Sequence, residues 1–271
     1  MSSTSRSIGL MAEVTVVRAA ARSNAEWCDA FCRTHGVAGR FGADCWTSAE
    51  RTPPLYPDAV TLSPGVAPIR VLSEIDASAG CSVKDSFADL DLIPHGFRPL
   101  LHGEWLLWEN GDAPVSSSPW LAIETGEQLE AWESAWGALP AGPAFFRPAL
   151  LANTAITVFA RYDDERIAAG AIANRSATVI GLGNLFDARG DLEAAWRGAA
   201  RAVQARWGPM PVVSYESAEA LEAAHQAGFG SVGELAVWMK PATTVTETSG
   251  CAAGRKDSPA QVSSRLSRSC A

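Results

Sequence analysis

The sequence predicts an α/β or α+β fold: a mixed, mostly antiparallel central sheet flanked by helices. Three observations predict it. Residues 166–240 switch repeatedly between period-2 and period-3.6 hydrophobic patterning, as strands alternating with helices do. The whole chain reads as helix, strands, helix, three strands, helix, strand, helix, strand. Apolar residues make up 47% of the chain and include ten tryptophans, enough for a real core.

Composition narrows the function classes. Charged residues are only 19%, so the body is not a disordered solvating segment. The formal charge of −8 argues against nucleic-acid or anionic-membrane binding, both of which need a basic surface. An acidic surface can help attract a cationic substrate such as an amine. No apolar run reaches the length of a membrane span, and residues 1–12 lack the apolar core of a signal peptide. Met11-Ala12-Glu13 could even be the true start. The expected location is the cytoplasm.

Taken in order, Glu13–Arg18 alternates weakly through Val14, Val16 and Val17 and is expected to be a short strand. Ser23, with Glu26 three residues on, offers a capping box for a helix that carries Trp27 and Phe31 and stops at His35-Gly36. The Pro53-Pro54 and Pro57 segment excludes regular helix or central strand, with short extended pieces near Cys45-Trp46 and Ala59–Leu62. Ser82–Leu92 alternates, Pro94-His95-Gly96 is a turn, and Phe97–Trp108 is a strand. Leu129, Trp132 and Trp136 mark a helix opened by Thr125 or Gly126 and closed by Gly137. Ala155–Tyr162, the Asp163-Asp164 turn, the strand from Arg166 and the Ala177–Phe186 segment form successive antiparallel hairpins. Leu192, Trp196, Ala199, Val203 and Trp207 stripe a helix over Asp191–Trp207. Strand 211–215, a helix ending at Gly228-Phe229 and strand 234–238 follow.

These elements divide the chain into three expected parts. Residues 1–80 are an extension or small lobe, 81–240 the main domain, and 241–271, rich in Ser, Thr, Ala and Arg without periodicity, a disordered tail. Cys28, Cys32, His35 and Cys45 could converge on a metal, since the first three share a helix face. Their spacing matches no common zinc framework, so buried thiols are expected instead.

From about Phe97 to Lys240 the element order resembles the GCN5-related N-acetyltransferases, the acyl-CoA N-acyltransferase fold. The closest motif is Ser217-x-x-Ala220-x-x-x-Ala224-x-x-x-Gly228-Phe229, against the family's Asn-x-x-Ala-x-x-x-Tyr-x-x-x-Gly-Phe. Ala220, Gly228 and Phe229 match, while Ser217 and Ala224 replace the Asn and Tyr. The resemblance implies transfer of an acetyl group from acetyl-CoA to an amine, carried on a small molecule or peptide. Backbone groups near Leu182, Gly183 and Asn184 would hold the pantetheine arm. Arg189, Gly190 and the following helix start would hold the pyrophosphate, and Ser217, at the family's Asn position, would also contact the cofactor. Glycines at 181 and 183 suit such close backbone approach, or equally a bulge or tight helix packing.

The chain departs from the family at the phosphate loop. Asp187, Asp191 and Glu193 stand where the family has glycines and positive charge. Carboxylates satisfy the same amides and helix dipole that a pyrophosphate would use. A binding or regulatory module that kept the fold without the activity is therefore the alternative reading. With the family's Tyr absent at 224, acid–base work falls to Tyr215 and Glu216, at a strand end where open sheets face their ligands. His225 and His102 are weaker candidates. There is no Gly-x-Ser-x-Gly, His-Glu-x-x-His or P-loop.

Overall fold

The structure, a computed structural model, describes residues 3–109, 119–137 and 144–242, with side chains from residue 13 onward. The expected tail beyond 242 and the Gly111–Pro119 connection up to Ser118 lie outside the described residues.

The chain opens with a long helix, α1 (Ser3–Thr34). The strand expected at Glu13–Arg18 is not there, and Ser23 does not start the helix. The reason lies in spacing: Val17, Ala20, Ala21, Ala25, Cys28, Phe31 and Cys32 recur three to four apart and are all buried. Three valines in five residues were too short a sample to reveal that longer stripe. Gly36, at φ +82°, ends the helix as expected.

Short strands β1 (Arg40–Phe41), β2 (Cys45–Thr47) and β3 (Ala59–Thr61) follow, then helix α2 (Pro68–Leu72) and β4 (Ser82–Asp85). The alternating run to Leu92 stops pairing at Asp85. Its carboxylate accepts the amides of Phe87 and Leu90 at 3.3 and 2.8 Å, turning the chain through Ala88 at φ +50°. The long strand β5 (Arg98–Trp108) comes next.

Strand β6 (Trp120–Ala122), which the sequence did not signal, leads into α3 (Gly126–Trp136). Thr125 and Gln128 cap α3 reciprocally and Gly137 closes it. Strands β7 (Ile156–Asp163), β8 (Arg166–Arg175) and β9 (Ile180–Asp187) form the expected hairpins. Helix α4 (Leu192–Trp207), β10 (Val212–Glu216), helix α5 (Ala218–Gln226) and β11 (Gly230–Met239) complete the fold.

All eleven strands join one sheet in the order β1-β2-β3-β4-β11-β5-β10-β9-β8-β7-β6. Only β3–β4 and β9–β10 are parallel. The pairing senses read alike from both sides of the central β11–β5 pair. Each half of the chain thus has a parallel pair joined by a helical crossover. Its last strand lies across in the other half: β5 sits between β11 and β10, and β11 between β4 and β5. The sheet runs without a break from the strands of residues 40–61 into those of the later chain.

Helices α1 and α3 cover one face, packing Trp27, Phe31, Trp132 and Trp136 with Phe145 and Phe146. Helices α4 and α5 cover the other, around Trp196, Val203 and Phe229. Strands β9 and β10 part beyond Gly181 and Val213, with α1 lying across that point.

Candidate active site

Parallel pairing between β10 and β9 covers only Val212–Ile180 and Val213–Gly181. Beyond that point the strands diverge. On its other side β9 is bulged: Gly183 faces Ile172 and Phe186 faces Gly170, so Asn184 and Leu185 together oppose Ala171. Asn184 takes a left-handed backbone at φ +50° and is buried. A bulge with a left-handed residue twists its strand sharply, which turns the end of β9 away from β10.

The opening left between them is small. Its volume is about 20 Å³, room for a single water, between Gly181–Asn184, Val213–Tyr215 and the α1 side chains Ala20, Asn24 and Trp27. One hydroxyl bridges the parted strands: Ser214 Oγ donates to the Leu182 carbonyl at 2.7 Å. Helix α1 is tied to the same spot. Asn174 Nδ2 on β8 donates to the Ser23 carbonyl at 2.9 Å and to its Oγ at 3.1 Å, within the protein interior.

The loop before α4 is closed by its own carboxylates. Asp187 Oδ1 accepts the amides of Arg189 and Asp191 at 2.8 and 3.2 Å, while Oδ2 takes the Arg161 guanidinium at 2.7 Å. Asp191 caps α4 by accepting the Ala194 amide at 3.1 Å. Gly190 sits at φ +82° with open space around it. Arg189 is exposed and ion-paired with Asp163. Arg197 pairs with Glu193 within α4. The loop amides that would cradle a phosphate are therefore bound internally.

Tyr215 and Glu216 are brought to the strand end, but on opposite faces, as alternation along a strand requires. Tyr215 points toward α1, edge-on to Trp105 at 5.4 Å between ring centroids. The Lys84 Nζ lies 3.7 Å from the Tyr215 ring centroid and donates to Asn24 Oδ1 at 3.0 Å. Glu216 turns the other way and is buried, which pushes its carboxyl well above the ordinary glutamate value; the Ser217 amide partly offsets this. Glu104 and then Glu234 lie beside it across β5 and β11. Ser217 is the N-cap residue of α5, without a side-chain capping bond.

The histidines fall outside this centre. His225 contacts Ser231 Oγ at 2.9 Å on the surface, and His102 is exposed opposite Ala236. Among the described residues no group of His, Cys, Asp or Glu is arranged to hold a metal ion. Cys28, Cys32 and Cys45 are buried thiols, and His35 bonds the Phe145 carbonyl at 2.9 Å. Burial raises the Cys32 and Cys45 thiols above their ordinary value.

Sequence reasoning missed four participants: Ser23, Asn24, Lys84 and Asn174. Asn174 directly follows the apolar run 167–173 and precedes Arg175 and Ser176, so it reads as an ordinary polar strand end. The other three became visible only once α1 was placed.

Solved structures share this architecture. A GCN5-related N-acetyltransferase from Kribbella flavida superposes with a TM-score of 0.58 at 15% identity, over 84% of this chain and 98% of that one. A protein from Novosphingobium aromaticivorans, assigned to the same family as an acetyltransferase, gives 0.50 at 14% identity, over 80% and 96%. Both overlaps exceed the share of the chain that residues 81–240 alone make up. No family model matches the sequence, and no curated protein is similar to it in sequence. The chain has the fold of the GCN5-related N-acetyltransferases.

Proposed function

We propose that this chain is a divergent GCN5-related acyltransferase that moves an acetyl group from acetyl-CoA to an amine in the cytoplasm. The observation that carries the reading is the divergence of β9 and β10 immediately after Gly181–Val213, with the bulge at Asn184. It is a gap at the crevice end of a parallel pair, where open sheets take their ligands. No described helix is long and apolar enough to cross a membrane.

The fit to acetyl-CoA differs along its length. At the gap, backbone groups of Leu182, Gly183 and Asn184 are of the right kind for an amide-bearing thioester arm, once the Ser214–Leu182 bond opens and α1 side chains yield space. At α4 the folded loop does not fit a pyrophosphate, because Asp187 and Asp191 hold its amides. Arg189 and Gly190 contribute to phosphate binding only if Asp187 and Asp163 release them, while Ser217, at the N-cap of α5, is held by neither. We therefore expect affinity to come mainly from the thioester arm.

In the reaction the amine nitrogen attacks the thioester carbonyl carbon, the carbon–sulfur bond breaks, and the thiolate leaves with a proton. Glu216, its affinity for protons raised by burial, is the proposed acceptor of the amine proton. Tyr215 is the proposed donor to sulfur. The test is incubation of the full chain with acetyl-CoA and a panel of primary amines, scored by acetylated product in mass spectrometry. Product formation that falls with Glu216→Gln supports the reading. A folded protein that acetylates no amine and binds no acetyl-CoA is a module that kept the fold alone.

A further inference from the structure

A second cavity, with a different lining, lies on the α1 face beyond Lys84 from the gap between β9 and β10. Its volume is about 450 Å³, within the range that holds small organic ligands. One wall is the loop of Pro53, Pro54 and Leu55; the floor is Lys84 on β4 with Val237 and Met239 on β11.

The wall is built rigidly. Thr52 donates both its amide and hydroxyl to Asp58 Oδ1, at 3.0 and 3.2 Å, and its hydroxyl also reaches the Tyr56 carbonyl at 2.7 Å. Tyr56 stacks on Phe31 of α1 with ring centroids 3.8 Å apart. Inside this frame Leu55 is held at φ +74°, a conformation a branched residue adopts only when its surroundings fix it. Three prolines stiffen the rest. A preformed apolar wall loses little freedom on meeting a ligand.

Asp58, Arg51 and Lys84 are the charged residues on the lining. Asp58 is consumed by the Thr52 and Ser82 amides and by Arg51 Nη1 at 2.8 Å. Arg51 in turn pairs with Asp76 Oδ2 at 3.3 Å, so the anion-binding role falls to Lys84. Lys84 is 2% exposed, so its ammonium works in a low dielectric. An anionic group entering there would form charge-assisted hydrogen bonds that water cannot match.

We propose that this cavity binds a small carboxylate-bearing molecule with an apolar body, its carboxylate at Lys84 and its body against Pro54, Leu55, Val237 and Met239. Lys84 also contacts Asn24 and the Tyr215 ring, both of which line the gap between β9 and β10. The proposal stands on the cavity and does not depend on acyl transfer.

The experiment is a calorimetric titration of the full chain with 4-phenylbutyrate, octanoate and indole-3-acetate, each beside its uncharged alcohol counterpart. At least one acid is expected to bind saturably, with its alcohol about tenfold weaker or more. Lys84→Met should bring acid and alcohol to equal affinity. Met239→Trp, which fills the cavity and leaves the charges in place, should abolish binding of both while its far-UV circular dichroism stays that of the unmodified chain. Equal affinity of acid and alcohol for the unmodified chain would overturn the proposal. So would undiminished acid binding by Met239→Trp, or no saturable heat from any of the three acids on folded protein.

Discussion

Replacing Gly181 by alanine tests how tightly α1 is locked onto the candidate site. A methyl at 181 would fall on the Asn174 side-chain amide and 2.7 Å from Ser23 Oγ, closer than carbon and oxygen tolerate. Neither neighbour can step aside freely. Ser23 is fully buried within α1, and Asn174 is held by its two bonds to Ser23 at 2.9 and 3.1 Å. Overpacking a filled site costs about 1–3 kcal/mol. Loss or distortion of the two buried hydrogen bonds adds roughly 1 kcal/mol. A loss of about 2–4 kcal/mol corresponds to a fall in Tm of roughly 5–15 °C for a chain of this size. Thermal unfolding by circular dichroism measures it. The double variant Asn174→Ala with Gly181→Ala removes the nearer obstacle and leaves Ser23 Oγ, so its cost should fall short of the two single costs added. A Gly181→Ala protein melting within about 2 °C of the unmodified chain would refute the packing argument.

Three further outcomes are expected. Asp191→Asn keeps a good N-cap but removes a negative charge from the start of α4, so acetyl-CoA affinity should rise about two- to fivefold at low salt; unchanged affinity would mean that the nucleotide end never meets this loop. Glu216 has a raised folded-state pKa, so the stability linked to its protonation is present below about 4.5 and is lost as pH rises through the higher folded value. Glu216→Gln lacks that loss, and its Tm relative to the unmodified chain should therefore climb with pH; parallel curves would exclude a buried, titrating carboxyl. The thiols of Cys28, Cys32, Cys45 and Cys81 are buried, Cys81 being pushed up to about 12, so none should react with an alkylating agent before unfolding; native-state labelling at any of the four, mapped by mass spectrometry, would contradict their packing.

The second half of the chain was legible because its elements are long and their turns chemically marked. Thr125 or Gly126, Gly137, Asp163-Asp164 and Asp191 each marked a boundary within a residue or two. The first half was harder to read. Its strands before β5 are two to four residues long, too short for alternation to register. Helix α1 buries mainly small residues such as Ala20, Ala21 and Ala25, whose weak hydrophobic contrast hid its period. The exchange of β5 and β11 between halves was invisible for a different reason. Pairing partners far apart in sequence leave no local pattern, so topology is read only from contacts.

The site divides the same way. Acids at 187 and 191 were visible in the sequence, and so was the conflict they pose for a phosphate. What they bind was not visible: Asp187 serves Arg161 on β7 as well as the loop amides, which makes it a structural tie across the sheet. Tyr215 and Glu216 were legible as strand-end residues. That Lys84 meets both Asn24 and the Tyr215 ring depends on α1 lying across the sheet and on β11 and β5 standing between β4 and β10, a long-range arrangement.

The account rests on the opening between β9 and β10 as a thioester site. Calorimetry on the folded chain tests this most directly, comparing acetyl-CoA with S-acetyl-pantetheine, which lacks the nucleotide and pyrophosphate. The account predicts saturable binding of both, with affinities within about tenfold, because the loop amides are already occupied. Absence of heat from either ligand at millimolar concentration would contradict it, as would binding of acetyl-CoA alone.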